Sequence, residues 1–184
     1  MNSKTWEPWV AYFEQLGYTC YAPDYLFHDK EIADIRSTSQ PGFSALTFND
    51  LYTQYGNFID SLPESPILIG HSMGGLLVQK LLNNDKGIAG ISISSAPPVG
   101  IITLKWSFLR AILPIINPCM LNTLYRPSLN WFKYAFAHTL SDSEVREAYD
   151  TYVIPESRNV PRTSTLWGGF IHFKRKQNPL LMIA

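Results

Sequence analysis

The sequence predicts an α/β protein in which helices cover both faces of a parallel β-sheet. Helical patterns with a period near 3.6 alternate along the chain with short apolar runs, which is the element order of such a fold. Residues 67–69 form a continuous apolar run, as a strand does when its sheet is covered on both sides. A content of 46% hydrophobic and 16% charged residues among 184 agrees with a folded globular chain.

The first helix and strand are predicted from residue spacing. Apolar residues recur at helical intervals over 6–16, and Gly17 follows where a left-handed C-terminal cap is expected. The short apolar run at 18–23 predicts a strand. Residues 24–47 are polar and irregular and contain a Pro-Gly turn signal, so they predict a loop.

Capping signals mark the second helix. Thr47 and Asp50 form a start that resembles a capping box, and the apolar positions that follow repeat with a helical period. Pro63 and Pro66 end this helix, because proline cannot continue it. The strand at 67–69 comes next.

The alternation continues with a mostly buried helix at 76–82 and a strand at 87–94. Over 99–162 no further strand of this type is predicted, and we interpret the segment as a helical insertion. It contains an apolar helix that is predicted to stop at Pro114.

Two further elements complete the prediction. Ser141 and Glu144 form a capping box for a helix that runs toward Tyr152, and 179–184 reads as a core strand. The predicted organisation is a core at 1–98, an inserted helical cap at 99–162 and a return to the core at 163–184.

Charge and targeting signals exclude several classes of function. Lysine plus arginine and aspartate plus glutamate each number 15, so no net field attracts nucleic acid or an anionic membrane. Cys20 and Cys119 form no disulfide framework and predict reduced thiols. The N-terminus is not a signal peptide, and the longest apolar region, 108–124, is too interrupted to span a membrane. We expect a cytoplasmic protein without a transmembrane segment. The sequence does not indicate its oligomeric state.

The strongest motif is Gly70-x-Ser72-x-Gly74, placed between the predicted strand at 67–69 and the predicted helix at 76–82. In a nucleophile elbow, a serine lies at a strained strand-to-helix bend, and glycines on either side let the strand and helix approach. The alternative is a glycine-rich turn with an idle serine. The flanking strand and helix favour the elbow.

Residues 69–75, Ile-Gly-His-Ser-Met-Gly-Gly, resemble the elbow of α/β-hydrolases of the esterase, lipase and lysophospholipase-like type. The resemblance extends over most of the chain and implies an α/β-hydrolase fold. The segments that carry it are the helix at 6–16 with the strand after it, the strand at 90–98, the cap at 99–162 and the strand at 179–184.

The resemblance implies roles for individual residues. Ser72 is the expected nucleophile, and the backbone N–H of Met73 is an expected donor to the oxyanion. Gly70, His71, Gly74 and Gly75 are expected to support the elbow. It implies neither a metal nor an organic cofactor, and no two of the four histidines have metal-ligand spacing.

The acid and histidine of a catalytic triad are expected in the order serine, acid, histidine. The resemblance places both beyond Ala184, and it places a strand with a second oxyanion donor before the first helix. It therefore implies that the chain is a piece of a longer hydrolase. His172 follows Glu156 in the right order and is an alternative base. His28 and His138 are interpreted as packed or solvated side chains.

The expected reaction is hydrolysis of an ester or related acyl bond in a small molecule, through a Ser72 acyl-enzyme. One alternative is a truncated, inactive hydrolase-like or ligand-binding protein. Another is a cofactor-free acyltransferase or perhydrolase on the same fold. The aromatic residues interpreted mainly as packing, with one or two expected at an apolar substrate pocket, are Trp106, Phe108, Trp131, Phe132, Tyr134 and Phe136.

Overall fold

The structure, a computed structural model, describes residues 2–37, 40–117, 119–120 and 122–184. Its α-helices are α1 (Glu7–Gln15), α2 (Ile32–Ser37), α3 (Phe48–Ser61), α4 (Met73–Asn83), α5 (Trp106–Ile116), α6 (Leu129–Phe136), α7 (Asp142–Tyr152) and α8 (Asn159–Thr163). Its strands are β1 (Ile67–His71), β2 (Ala89–Ile93), β3 (Leu124–Tyr125), β4 (Glu156–Ser157) and β5 (Leu180–Ile183). Short 3₁₀ turns occur at Ser3–Trp6 and Phe43–Ala45, and a π-helical turn at Ser164–Gly168.

A parallel sheet of the order β1-β2-β5 confirms the predicted fold class. Its register places Gly70 opposite Ser92 and His71 opposite Ile93, so β1 and β2 end together. Helix α4 connects these two strands and packs directly on β2. The packing is so close that a Cβ atom added at Gly90 would lie 2.5 Å from Leu82 Cδ1. The sheet is small, and β3 pairs with β4 in a separate antiparallel ribbon.

The chain divides into two compact units. The sheet unit comprises Ala45–Asn122 and Arg158–Ala184, and it contains the parallel sheet with α3, α4, α5 and α8. The helical unit comprises Met1–Ser44 and Thr123–Ser157 and contains α1, α2, α6, α7 and the β3–β4 ribbon. The cap boundaries expected at 99 and 162 stay a prediction.

Both capping predictions are confirmed. Thr47 Oγ1 accepts from the N–H of Asp50 at the start of α3, and the Asp50 carboxylate accepts from the N–H of Thr47. Ser141 and Glu144 make the same reciprocal pair at the start of α7. Gly17, just past α1, has the left-handed φ of +88° that favours glycine there.

The strand predicted at 18–23 is wrong: this segment is irregular. Its apolar residues are not covered, since Tyr18 is 57% and Tyr21 54% exposed. An apolar run becomes a strand only when another strand pairs with its backbone, and no such pairing occurs here among the described residues.

Helix α5 does not stop at Pro114 but continues to Ile116. Two arginines that the periodicity does not reveal cap its last turn. The Arg158 guanidinium donates to the carbonyls of Pro114 and Ile115, and Arg162 donates to the carbonyl of Ile116. These charged donors satisfy carbonyl groups that have no partner inside a helix.

The sequence pattern did not predict helix α6. Phe132 of α6 is buried against Val145 of α7 and against Val153, in a small apolar cluster completed by Ala137. This burial confirms a packing role for Phe132, whereas Trp106 and Phe136 of the same aromatic set are exposed. Within the described ranges, no helix combines the length and the apolar character needed to cross a membrane.

The final strand, β5, forms as predicted and pairs in parallel with β2. It lies at one edge of the sheet, however, and Leu181, Met182 and Ile183 are exposed. The expectation of a core strand is therefore wrong in its burial, because burial depends on what covers both faces and not on the apolar run itself.

Candidate active site

Ser72 lies at a sharp bend between the last residue of β1 and the first residue of α4. Its backbone has φ +54° and ψ −115°, a conformation that non-glycine residues rarely adopt. Such strain costs about 1–3 kcal/mol and persists only where the surrounding structure holds it, often at functional sites. The geometry matches the strand–turn–helix bend that the motif predicts.

The glycines beside Ser72 are required by close backbone contacts. A Cβ atom at Gly70 would overlap the carbonyl oxygen of Gly74, so a side chain there would require the backbone to shift. A Cβ at Gly75 would lie 2.8 Å from Ser92 Oγ and 3.1 Å from Ser95 Cβ. The absence of side chains at Gly70 and Gly75 lets the start of α4 lie against the ends of β1 and β2.

Hydrogen bonds hold the Ser72 backbone on both sides. Its N–H donates to Ile93 O at 2.9 Å, and its carbonyl oxygen accepts from the N–H groups of Leu76 at 3.2 Å and Ala96 at 2.9 Å. The bonds to Ile93 and Ala96 attach the bend to the end of β2 and to the turn that follows it. The strained residue is thus fixed by neighbours distant in sequence.

The Ser72 hydroxyl does not cap helix α4. Although Ser72 precedes α4, its side chain makes no capping hydrogen bond to the helix. Met73 is the first residue of α4, and the N–H groups of a first helical turn have no acceptor inside the helix. A negative charge that develops beside Ser72 would therefore meet backbone donors and the positive end of the helix dipole.

The model of the alpha/beta hydrolase family matches residues 1–184. The chain belongs to this family. The match covers the elbow, the sheet and both segments of the helical unit, and it supports a hydrolase-type enzyme in general. No curated protein matches the chain.

Solved structures with the same fold are similar over almost the whole chain. A tomato methylketone synthase I variant complexed with β-ketoheptanoate is 16% identical with a TM-score of 0.65, covering 99% of this chain and 83% of that one. An Arabidopsis methylesterase is 11% identical with a TM-score of 0.59 and coverages of 98% and 84%. Polyneuridine aldehyde esterase, as a mutant, is 15% identical with a TM-score of 0.57 and coverages of 97% and 70%. At these identities the likeness shows the fold alone.

His71 ends β1 directly before Ser72. The residue is exposed as a whole, yet desolvation of its ring lowers the pKa of the imidazole below its usual value. The ring is therefore neutral at neutral pH. This position agrees with the supporting role expected for His71 and leaves that role a prediction.

The structure does not bring His172 to Ser72. The N–H of His172 donates to Asn83 Oδ1 at 2.9 Å, and Asn83 Nδ2 donates back to the carbonyl of His172 at 3.1 Å. Asn83 is the last residue of α4, about 16 Å along the helix axis from Ser72 at 1.5 Å per residue. A cavity of about 670 Å³ beside His172, lined by Val99 and residues 170–175, includes no residue of the elbow.

The buried His28 and the partly buried Glu156 lie side by side within the helical unit. His28 Nε2 lies 3.4 Å from Glu156 Oε2, and its ring stacks on Tyr25 and meets the edge of Phe43. Burial lowers the pKa of His28 to about 3 and raises the pKa of Glu156 to about 7. The His28 imidazole is therefore neutral at neutral pH, whereas the Glu156 carboxyl is about half protonated there. The packed interpretation of His28 is confirmed, since His28 is buried. His138, in a turn, is exposed.

Sequence reasoning missed the polar residues that surround the elbow. Gln79 Nε2 donates to Ser95 Oγ at 2.7 Å, and Ser95 Oγ donates to the carbonyl of Ala96 at 2.8 Å. Ser94, exposed directly after β2, has a φ of +42°. A glutamine inside an otherwise apolar helical segment, with a serine-rich turn two elements away, is the signal that could have indicated this contact.

Proposed function

We propose that this chain is a serine hydrolase that cleaves ester or related acyl bonds through an acyl-enzyme on Ser72. The observation that carries the proposal is the positive φ of Ser72 at the bend between β1 and α4, where Gly70 and Gly74 approach so closely that Gly70 has no room for a side chain. An idle serine in a turn has no need of this strain, since most turn positions accept relaxed backbone conformations.

The proposed reaction begins with attack of Ser72 Oγ on the carbonyl carbon of the ester. A carbon–oxygen bond forms, the hydroxyl proton passes to a base, and the negative charge moves to the former carbonyl oxygen. The Met73 N–H stabilises that oxyanion. The intermediate then expels the alcohol, which takes up the proton, and water cleaves the acyl-enzyme to a carboxylic acid and free Ser72.

The proposal assigns no base or acid within the chain. His172 is anchored at the opposite end of α4, and His28 is enclosed in the helical unit with Glu156. An ester is the favoured substrate class because two of the similar solved structures are named a methylesterase and an esterase. The substrate itself is left open, since one fold hosts many activities.

A covalent probe tests the proposal. We expect the folded chain to react with a fluorophosphonate, whose phosphorus is attacked by the serine oxygen as fluoride leaves, and we expect Ser72→Ala to abolish this labelling. Ser94→Ala is the matched control, because it removes the hydroxyl of an exposed serine at the same carboxyl end of the parallel strands and should leave labelling intact. Labelling that survives Ser72→Ala, or a folded wild-type chain that takes up no probe, would contradict the proposal.

A further inference from the structure

A relay of three hydrogen bonds runs from the interior of α4 to the backbone of Ser72. Gln79 Nε2–H donates to Ser95 Oγ at 2.7 Å, and the Ser95 hydroxyl donates to the carbonyl of Ala96 at 2.8 Å. The N–H of Ala96 then donates to the carbonyl of Ser72 at 2.9 Å. We call this set the Gln79 relay. The hydroxyl of Ser95 acts as acceptor on one side and donor on the other, so the two bonds strengthen each other.

The position of Gln79 in the helix explains how it reaches this turn. Gln79 follows Gly75 by four residues and therefore lies on the same face of α4, one turn further along. The missing side chain at Gly75 lets Ser92 and Ser95 approach that face closely. The glutamine then spans the short gap that remains one turn later.

Because Gln79 is buried, its side-chain amide needs the hydrogen bond to Ser95. Gln79 is only 5% exposed, in a stretch of α4 whose other buried side chains include Leu76, Val78 and Leu82. An amide in such surroundings is unfavourable unless it is hydrogen-bonded, and an apolar residue would pack there at no such cost. The bond to Ser95 gives the amide its donor contact and holds the turn after β2 in one conformation.

The turn after β2 holds the backbone of Ser72. A residue at positive φ relaxes unless its neighbours hold it, and the Ala96 N–H is one of the groups that hold the Ser72 carbonyl. If Ser95 no longer fixed Ala96, the bend would gain freedom and the direction of the Ser72 hydroxyl would vary. Reaction rates are sensitive to such changes, because a displacement of about 1 Å at a reacting group can cost about a hundredfold.

We propose that Gln79 and Ser95 are positioning residues that hold the turn after β2 against Ser72 and so orient its hydroxyl for attack. The effect on reactivity rests on the proposed function of Ser72. The effect on the turn itself does not, because it follows from the hydrogen bonds alone.

Gln79→Met tests the proposal, since methionine keeps the length and burial of the side chain and removes its donor. We expect the rate constant for fluorophosphonate labelling of the folded chain to fall about tenfold or more. Ser95→Ala should have a similar effect, Ser95→Thr should retain most of the rate, and the double variant should be little worse than either single one. Such non-additivity is the mark of two residues that act through one contact.

Amide hydrogen exchange supplies a readout that needs no reactivity at Ser72. We expect exchange of the Ala96 N–H to accelerate about tenfold in Gln79→Met. Asn83→Leu is the matched control, because Asn83 is also a buried polar residue of α4 but binds the backbone of His172 at the other end of the helix. It should lower stability while leaving both the Ala96 exchange rate and the labelling rate unchanged.

The outcomes separate the two proposals. Unchanged Ala96 exchange in both Gln79→Met and Ser95→Ala would overturn the Gln79 relay. It would also be overturned if Asn83→Leu changed Ala96 exchange and the labelling rate as much as Gln79→Met does. A wild-type chain that takes up no probe would contradict the proposed function, and Ala96 exchange would still decide whether the relay holds the turn. Should Gln79→Met fail to fold, Ser95→Ala carries the same test.

Discussion

In the sheet unit, α4 lies directly on the strands because glycines leave room for it, whereas in the helical unit α6 and α7 meet through apolar side chains such as Phe132 and Val145. The close contacts of the sheet unit involve backbone atoms, as at Gly70 and Gly74. The helical unit instead encloses a titratable contact between His28 and Glu156. The first kind of contact depends on shape, and the second also depends on protonation.

This difference shows where each unit tolerates change. A Cβ atom added at Gly70 would overlap backbone atoms of Gly74, and no side-chain rotation could relieve that overlap. The sheet unit should therefore lose much of its stability when this glycine is replaced. A partly buried acid with a raised pKa changes the stability of the helical unit with pH, without any change of sequence. Substitutions of decreasing expected effect test this comparison.

Gly70→Ala should have the largest effect. The added Cβ atom would overlap the Gly74 carbonyl and the Gly75 nitrogen, so the bend must open, and we expect the free energy of unfolding to fall by about 3 kcal/mol or more. Urea unfolding followed by circular dichroism measures the change.

Gly56→Ala is the control for this substitution. Gly56 lies inside α3, and a Cβ atom there would meet nothing within 4 Å. We expect it to raise stability by about 0.5–1 kcal/mol, as alanine does in a helix interior. A loss of stability in Gly70→Ala no larger than the effects at ordinary surface positions would show that the backbone contact is not rigid.

Glu156→Gln should change how stability depends on pH. Burial raises the pKa of Glu156 to about 7 in the folded chain, against about 4.5 when unfolded, so the folded state holds the proton more strongly. The wild type should therefore lose stability relative to Glu156→Gln as the pH rises from about 5 to 8, by about 2 kcal/mol. Urea unfolding at a series of pH values compares the two proteins.

Glu147→Gln, which neutralises an exposed side chain on α7, controls for the loss of one negative charge in the same unit. It should follow the wild-type profile. Parallel pH profiles for the wild type and Glu156→Gln would refute the raised pKa and, with it, the contrast between the two units.

Two fully buried serines, one in each unit, should respond with opposite signs. Ser92 Oγ of the sheet unit has no hydrogen-bond partner among the described residues, whereas Ser157 Oγ of the helical unit donates to the carbonyl of Ser44 at 2.9 Å. We expect Ser92→Ala to raise the free energy of unfolding by up to about 1 kcal/mol and Ser157→Ala to lower it by about 1 kcal/mol. Equal signs in urea unfolding would mean that hydrogen bonding does not distinguish the two sites.

The elbow could be predicted from the sequence because its requirements are local. Ser72 needs glycines two residues away on both sides, an apolar strand before it and a helix after it, and all of these lie within one short segment. The capping boxes at Thr47 and Ser141 were predictable for the same reason, since each joins residues three apart in sequence.

The wrong predictions share a different cause. The apolar run at 18–23 is not a strand because no other described strand pairs with it. Helix α5 passes Pro114, and arginines 43 to 46 residues later bind its last carbonyls. The exposure of β5 likewise depends on what covers it. A local pattern carries no information about such partners.

The sequence by itself therefore determined the order of elements in the sheet unit, the elbow at Ser72 and the helix starts, because these follow from short-range sterics, periodicity and capping. Only the tertiary structure decided that Gln79 reaches Ser95, that His172 is anchored at Asn83 and that His28 faces Glu156. Each of these contacts joins residues 16 to 128 positions apart, and the energy of a buried polar contact exists only once folding has removed water from both partners.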